Sequence, residues 1–169
     1  MVTVPGQKIS EYTCALKICG ENLKPAPIPE VAVVVSPDAQ GNVTLNADDA
    51  ELHGDQIKIE DHGGQPNIGF WARADESVSW QVKFDKPGKF QVSAAVAATH
   101  ADSEFIVEVA GKQLTGKPPQ TATWTEFRTS DLGQIEIQQA GEQTVKVRSR
   151  DAQSWKAINL RSVKFTRSK

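Results

Sequence analysis

Short segments in which hydrophobic and polar residues alternate fill the chain from Val43 onward, and this pattern limits the fold more than any other feature. Alternation places every second side chain on one face of a strand, so each segment has one face to bury. Turns that contain glycine or proline, such as residues 86–89 and 140–142, separate the segments. The pattern predicts an all-β jelly roll or a related sandwich, with strands at residues 43–45, 57–60, 78–84, 90–97, 105–109, 135–138, 144–148 and 158–165.

The beginning of the chain differs in kind. Residues 12–18 are typical of a short strand, and residues 25–29 contain three prolines in five positions. Proline has no backbone N–H and a fixed φ, so this stretch favours neither a helix nor a strand ladder. We expect residues 1–29 to be the end of a preceding domain with a Pro-rich linker, and residues 30–169 to form the β-sandwich module.

Composition and charge exclude two classes of partner. The chain has 169 residues, of which 38% are hydrophobic and 24% charged, which is enough for one ordinary globular core. Its formal net charge of -2 and its scattered lysines and arginines provide no field that would attract nucleic acid. No apolar run approaches the roughly 20 residues that cross a bilayer, and the first residues lack the blocks of a secretion signal. We expect a monomer without a nucleic-acid or membrane partner.

Four tryptophans are many for a chain with only 7% aromatic residues. Trp80 lies on the apolar face of an alternating segment, which predicts a core position. The other three, Trp71, Trp124 and Trp155, lie at strand ends or in loops. Their placement predicts aromatic surfaces that are offered to a flat ligand.

Four ordered segments carry a resemblance to a known family: DDAELHG (48–54), NIGFW (67–71), KPGKFQV (86–92) and WKAINLRS (155–162). Over about residues 43–166 the chain resembles the domain appended to many bacterial α-L-fucosidases and some sulfatases, which is similar to family 6 and family 35 carbohydrate-binding modules. The resemblance implies the galactose-binding-like β-sandwich fold. Residues 12–18 also look like the final strand of such a fucosidase's own C-terminal sheet, which implies that the chain is the tail of a multidomain glycosidase.

The resemblance also implies a sugar site. Sugars present one apolar face of C–H bonds and a rim of hydroxyl groups, so their sites need an aromatic plane and polar side chains. In the modules that the chain resembles, the ligand commonly lies at the loop end of the sandwich between two aromatic rings, beside an asparagine near the start of the last strand. These positions match Phe70 or Trp71, Trp124 and Asn159, and Trp155 is a candidate for a third plane.

Each candidate also has a structural interpretation. Trp71 suits a partly buried position at a sandwich edge, and Trp155 suits a cap over the open end. Phe70 lies on the same face as Ile68 in a regular strand, which favours the core. Asn159 could instead satisfy backbone groups in a bulge.

The acidic residues Asp48 and Glu51 raise the alternative of a structural calcium, because oxygen ligands cluster at such ions and the related modules often hold one near their first strand. Arg161 stands where those modules usually have an aspartate, and a fixed cation repels Ca²⁺. We therefore expect no metal or other cofactor, and a salt bridge from Asp48 or Glu51 to Arg161 in place of the ion.

No arranged nucleophile, base and oxyanion donors are apparent, since the chain has neither Gly-x-Ser-x-Gly nor His-x-x-x-His. The sequence predicts a non-catalytic module that tethers a linked, α-L-fucosidase-like glycosidase to carbohydrate, with fucosylated or galactose-containing glycans as candidate ligands. The alternative is a structural accessory sandwich that packs on a glycosidase or sulfatase and binds no sugar. We expect an extracellular or periplasmic location for the parent protein, although this chain shows no signal peptide.

Overall fold

The computed structural model describes residues 33–62 and 64–168. The predicted strand at residues 12–18, the Pro-rich linker and the boundary near residue 29 lie outside these ranges. No helix within them is long and apolar enough to cross a membrane. The described elements are a 3-10 turn, Ala47–Asp49, and twelve strands: β1 (Val34–Val35), β2 (Val43–Asn46), β3 (Glu51–His53), β4 (Lys58–Asp61), β5 (Pro66–Trp71), β6 (Ser77–Phe84), β7 (Gly88–Ala97), β8 (Phe105–Val109), β9 (Lys112–Gly116), β10 (Arg128–Ile137), β11 (Gly141–Ser149) and β12 (Ile158–Arg167).

The strands form two sheets that pack face to face. One sheet has the order β1-β6-β11-β8-β9, with β3 also paired to β6, and the other has the order β10-β7-β12-β5-β4, with β2 also paired to β12. Strand β1 runs parallel to β6, and the other described pairings are antiparallel. The predicted all-β sandwich is confirmed, and every segment predicted from residue 43 onward overlaps a strand. From residue 43 onward, strands β3, β5 and β9 and the part of β10 before residue 135 were not predicted.

The core lies between the sheets and contains two aromatic groups at opposite ends of β12. Phe84, Phe90 and Phe165 pack edge to face, with ring centroids 5.4 to 6.4 Å apart, a geometry that aromatic quadrupoles favour. Trp80 is buried, as predicted, and its Nε1 donates a hydrogen bond of 2.8 Å to the carbonyl of Asn46. Two tryptophans form the second group, at the end where β12 begins.

A β-bulge in β5 decides which side chains reach that end of the sandwich. Ile68 pairs with Leu160 and Trp71 pairs with Ile158, so three steps along β5 match two steps along β12. An extra residue of this kind shifts the alternation of the strand by one. As a result Ile68 and Trp71 both face the core, although they are three residues apart.

Candidate functional site

An open cleft of about 350 Å³ lies where β5 ends and β12 begins. Phe70 and Trp124 stand at this cleft and are the exposed aromatic side chains of the described residues, with 61% and 37% of their surfaces accessible. The cleft thus combines two accessible rings with polar groups. Its lining consists of Glu60, His62, Phe70, Trp71, Ala72, Trp124, Ala157, Ile158 and Asn159.

Phe70 reaches the cleft because of the bulge. It has a φ of 53°, a region that non-glycine residues adopt at a cost and that clusters at functional sites. Its ring points out to solvent, and the Lys58 ammonium lies 5.7 Å from the ring centroid. The interpretation that Phe70 packs in the core beside Ile68 is therefore wrong, because the inserted residue breaks the regular alternation on which it rested.

Trp71 and Trp155 do not offer open surfaces, so that part of the prediction is wrong. Trp71 is fully buried, and its Nε1 donates to the carbonyl of Glu76 at 3.2 Å. Trp155 is 6% exposed and packs against Trp71, with ring centroids 5.1 Å apart and planes tilted by 52°. The bulge that exposes Phe70 turns Trp71 inward, so that Trp71 forms the floor of the cleft and Trp155 packs against it from below.

Trp124 lies in the loop between β9 and β10, as predicted, and several hydrogen bonds hold this loop. The Asn159 amide donates to the carbonyl of Trp124 at 3.1 Å. The buried Thr121 hydroxyl accepts from the Ala98 N–H at 3.0 Å and donates to the carbonyl of Thr123 at 2.9 Å. Asn159 therefore satisfies a backbone group, as its structural interpretation anticipated, and it does so for the residue that presents the exposed indole.

Two carboxylates fix the ends of the same loop. Lys117 donates to Glu104 at 2.5 Å, and this contact holds the pKa of Glu104 below its ordinary value. At the other end the Ala122 N–H and then the Arg128 guanidinium donate to Glu126, and they lower the pKa of that carboxyl. Both carboxylates are therefore charged at neutral pH, and they hold the loop that presents Trp124 at both of its ends.

Glu60 and His62 also line the cleft, and the sequence interpretation missed both as site residues. Glu60 Oε2 accepts from the Asn67 amide at 3.3 Å, and its Oε1 lies 3.7 Å from His62 Nε2. A Cβ on Gly69 would lie 1.7 Å from Glu60 Oε2 and 3.1 Å from Asn159 Oδ1. The glycine therefore leaves room for these two oxygens, and a glycine inside a strand pattern was the available signal.

Arg161 does not form the predicted salt bridge. Its guanidinium carbon lies 3.7 Å from the centroid of the Phe127 ring, and neither Asp48 nor Glu51 is within ion-pair distance among the described residues. A second bulge, in β12 at Arg161, redirects that side chain, while Glu51 belongs to β3 in the other sheet. Residues 33–62 and 64–168 hold no cluster of three or more His, Cys, Asp or Glu side chains suited to a metal, at Asp48 and Glu51 or elsewhere.

Solved structures share this fold. The family 6 module CsCBM6-3 from Clostridium stercorarium, in complex with cellobiose, is 19% identical with a TM-score of 0.61, over 82% of this chain and 100% of that one. A β-1,3-glucan-binding family 6 module from Bacillus halodurans is 20% identical with a TM-score of 0.62, over 79% and 99%.

A larger enzyme is similar as well. The GH26-CBM35 β-(1,4)-mannanase from Podospora anserina is 18% identical with a TM-score of 0.62, over 77% of this chain, and the chain spans only 28% of that protein's length. At these identities the likeness establishes the fold, which is the galactose-binding-like sandwich of family 6 and family 35 modules.

Sequence comparison identifies the family of the chain. No curated protein matches it. Residues 41–169, which include the cleft and every described strand except β1, match the family model described as a domain of unknown function, DUF5077, and the chain belongs to this family.

Proposed function

We propose that the chain is a non-catalytic carbohydrate-binding module whose cleft between Phe70 and Trp124 receives a pyranose ring. The observation that carries the proposal is the pair of accessible aromatic rings beside a set of polar oxygens. Rings cover the apolar C–H face of a sugar, while carboxylate and amide groups bind its hydroxyls. Structural neighbours with the same fold include a module solved with cellobiose and one that binds β-1,3-glucan.

The fixed loop supports binding without a large ordering cost. Trp124 is already positioned by Asn159 and by the hydrogen bonds of Thr121, so little conformational entropy is lost when a ligand arrives. Two rings and a few hydrogen bonds to a well-hydrated sugar leave a small net free energy. We expect dissociation constants on the order of millimolar to micromolar.

We further propose that the module serves a linked glycosidase, α-L-fucosidase-like, in an extracellular or periplasmic parent protein. Tethering raises the effective concentration of a catalytic domain on its glycan. The likeness to a module within a mannanase and the resemblance to fucosidase-associated domains support this role. Fucosylated or galactose-containing glycans are the first ligands to test.

Intrinsic fluorescence can test the binding directly, because Trp124 is the exposed indole while Trp71, Trp80 and Trp155 are buried. We expect a saturable shift when the chain is titrated with fucose, galactose, cello-oligosaccharides and β-1,3-gluco-oligosaccharides. Phe70→Ala is the matched control, since it keeps the Trp124 reporter and removes the opposing ring, and it should weaken the response. A flat response across the whole panel would favour the structural accessory role instead.

Asn159 should act as a positioning residue for Trp124. Asn159→Ala removes the amide and leaves the Trp124 carbonyl without its hydrogen-bond donor. We expect the free energy of sugar binding to weaken by about 1 kcal/mol, which raises dissociation constants roughly fivefold. The emission of Trp124 without ligand should also change, which a purely ligand-contacting residue would not cause. Gln113→Ala, on an exposed position of β9, is the control that should leave both readouts unchanged.

A further inference from the structure

We infer that Glu60 makes the cleft selective for uncharged, hydroxyl-rich sugars and against sugars that carry carboxylate or sulfate groups. The inference rests on the carbohydrate-binding function proposed above, and it names the ligand class of the same cleft. Its basis is the charge and the hydrogen-bonding character of the polar atoms that face the ligand space.

The fixed charge in the cleft is negative. Among the described residues that line the cleft, Glu60 carries a carboxylate and His62 is the other titratable group, while no lysine or arginine is present. The Glu60 side chain is only 21% exposed, so water and salt screen its charge less than they screen a surface group. Lys58, two residues earlier on β4, is exposed and lies over the outer Phe70 ring without lining the cleft.

The polar atoms that remain free are mainly acceptors. The Asn159 amide nitrogen is already used on the Trp124 carbonyl, and the Asn67 amide nitrogen is used on Glu60. Glu60 and Asn159 bring their oxygens together over Gly69. Acceptors need donors, which sugar hydroxyls supply and ionised carboxylates or sulfates do not.

Glu60 is also held in place, so the selectivity is built into the unliganded cleft. The Asn67 amide and His62 contact its two oxygens at 3.3 and 3.7 Å. Gly69 provides the space that the carboxylate occupies. An acidic ligand would have to approach a fixed, poorly screened charge of its own sign, and such like-charge contacts oppose binding strongly.

The test compares neutral oligosaccharides with uronic-acid oligosaccharides of the same length, linkage and configuration, by calorimetry at neutral pH and low salt. We expect the acidic ligands to bind at least about tenfold more weakly. Glu60→Gln keeps the shape of the side chain and removes its charge. It should lower the ratio of dissociation constants, acidic ligand over neutral ligand, several-fold. Glu136→Gln, an exposed carboxylate on β10, is the control and should leave the ratio unchanged. The ratio should also fall as salt is raised, because the discrimination is electrostatic.

Two outcomes separate this inference from the proposed function. If neutral and acidic sugars all fail to bind, the carbohydrate-binding function is wrong, and the inference fails with it. If acidic sugars bind as tightly as neutral ones, and Trp124→Ala weakens both, the function stands and the assigned selectivity is wrong. An unchanged ratio in Glu60→Gln would also overturn the role of Glu60.

Discussion

Replacing Trp124 with alanine is expected to raise glycan dissociation constants by at least about 30-fold, which corresponds to roughly 2 kcal/mol for truncation of a central aromatic contact. The side chain is the exposed indole of the cleft, and its loop is fixed before a ligand arrives. Because much of the ring is already accessible, the free energy of unfolding should fall by less than about 1 kcal/mol. Calorimetric titration and chemical denaturation of the same variant measure the two effects separately.

Trp155→Phe is the matched comparison for that experiment. This ring is buried against Trp71 under the floor of the cleft. Its replacement should lower the free energy of unfolding and leave the glycan dissociation constants nearly unchanged. The reverse result, with Trp155→Phe abolishing binding and Trp124→Ala retaining it, would mean that the ligand lies elsewhere.

A second large effect is expected on stability. Phe165→Ala should lower the free energy of unfolding by about 3–5 kcal/mol, because it removes a fully buried ring and leaves a cavity. The lost ring contacts Phe84 and Phe90 edge to face, and those contacts add to the cost. Urea denaturation of the variant and the parent chain gives the difference.

Phe70→Ala is the control for this second prediction, since the residue type is the same and only the exposure differs. With 61% of its surface accessible, its removal should change stability by no more than about 0.5 kcal/mol. A cost under about 1 kcal/mol for Phe165→Ala would contradict the core that the two sheets form.

The sheets could be predicted from sequence because alternation is a local property of each strand. Every segment predicted from residue 43 onward overlaps a strand, and Trp80 is in the core, as its position between Val78 and Val82 indicated. Strands β3 and β9 escaped prediction because they are short and lie near sheet edges, where few apolar residues are required. The pairing of β3 depends on β6, which lies more than 20 residues later in the chain, whereas β9 pairs with β8 in a hairpin whose turn is Ala110 and Gly111.

The site could be predicted only in part, because two bulges change the direction of side chains. The match to Gly69 and its neighbours identified the right segment, yet regular alternation assigned Phe70 to the core and left Trp71 open. One added residue in a strand has no periodic signal of its own. The same limit applies to Arg161, where the bulge in β12 replaces an expected ion pair with a contact to the Phe127 ring.

Burial of Trp71 and Trp155 is a tertiary effect. Trp155 precedes the last strand, and nothing in its own neighbours indicates that Trp71 will lie 5.1 Å away. The position of Glu60 in the cleft could not be predicted from sequence for a similar reason. It depends on the pairing between β4 and β5 and on the space above Gly69.

The bulge in β5 has a consequence for how members of the DUF5077 family should be compared. The inserted residue decides which of two consecutive aromatic residues, Phe70 or Trp71, is exposed to solvent. The amino-acid type at these two positions is therefore a poor guide to exposure when relatives are aligned. A relative without the insertion would present the side chain aligned with Trp71 and bury the one aligned with Phe70. Ligand preference in the family should therefore be traced by strand register first, and by amino-acid type only after that.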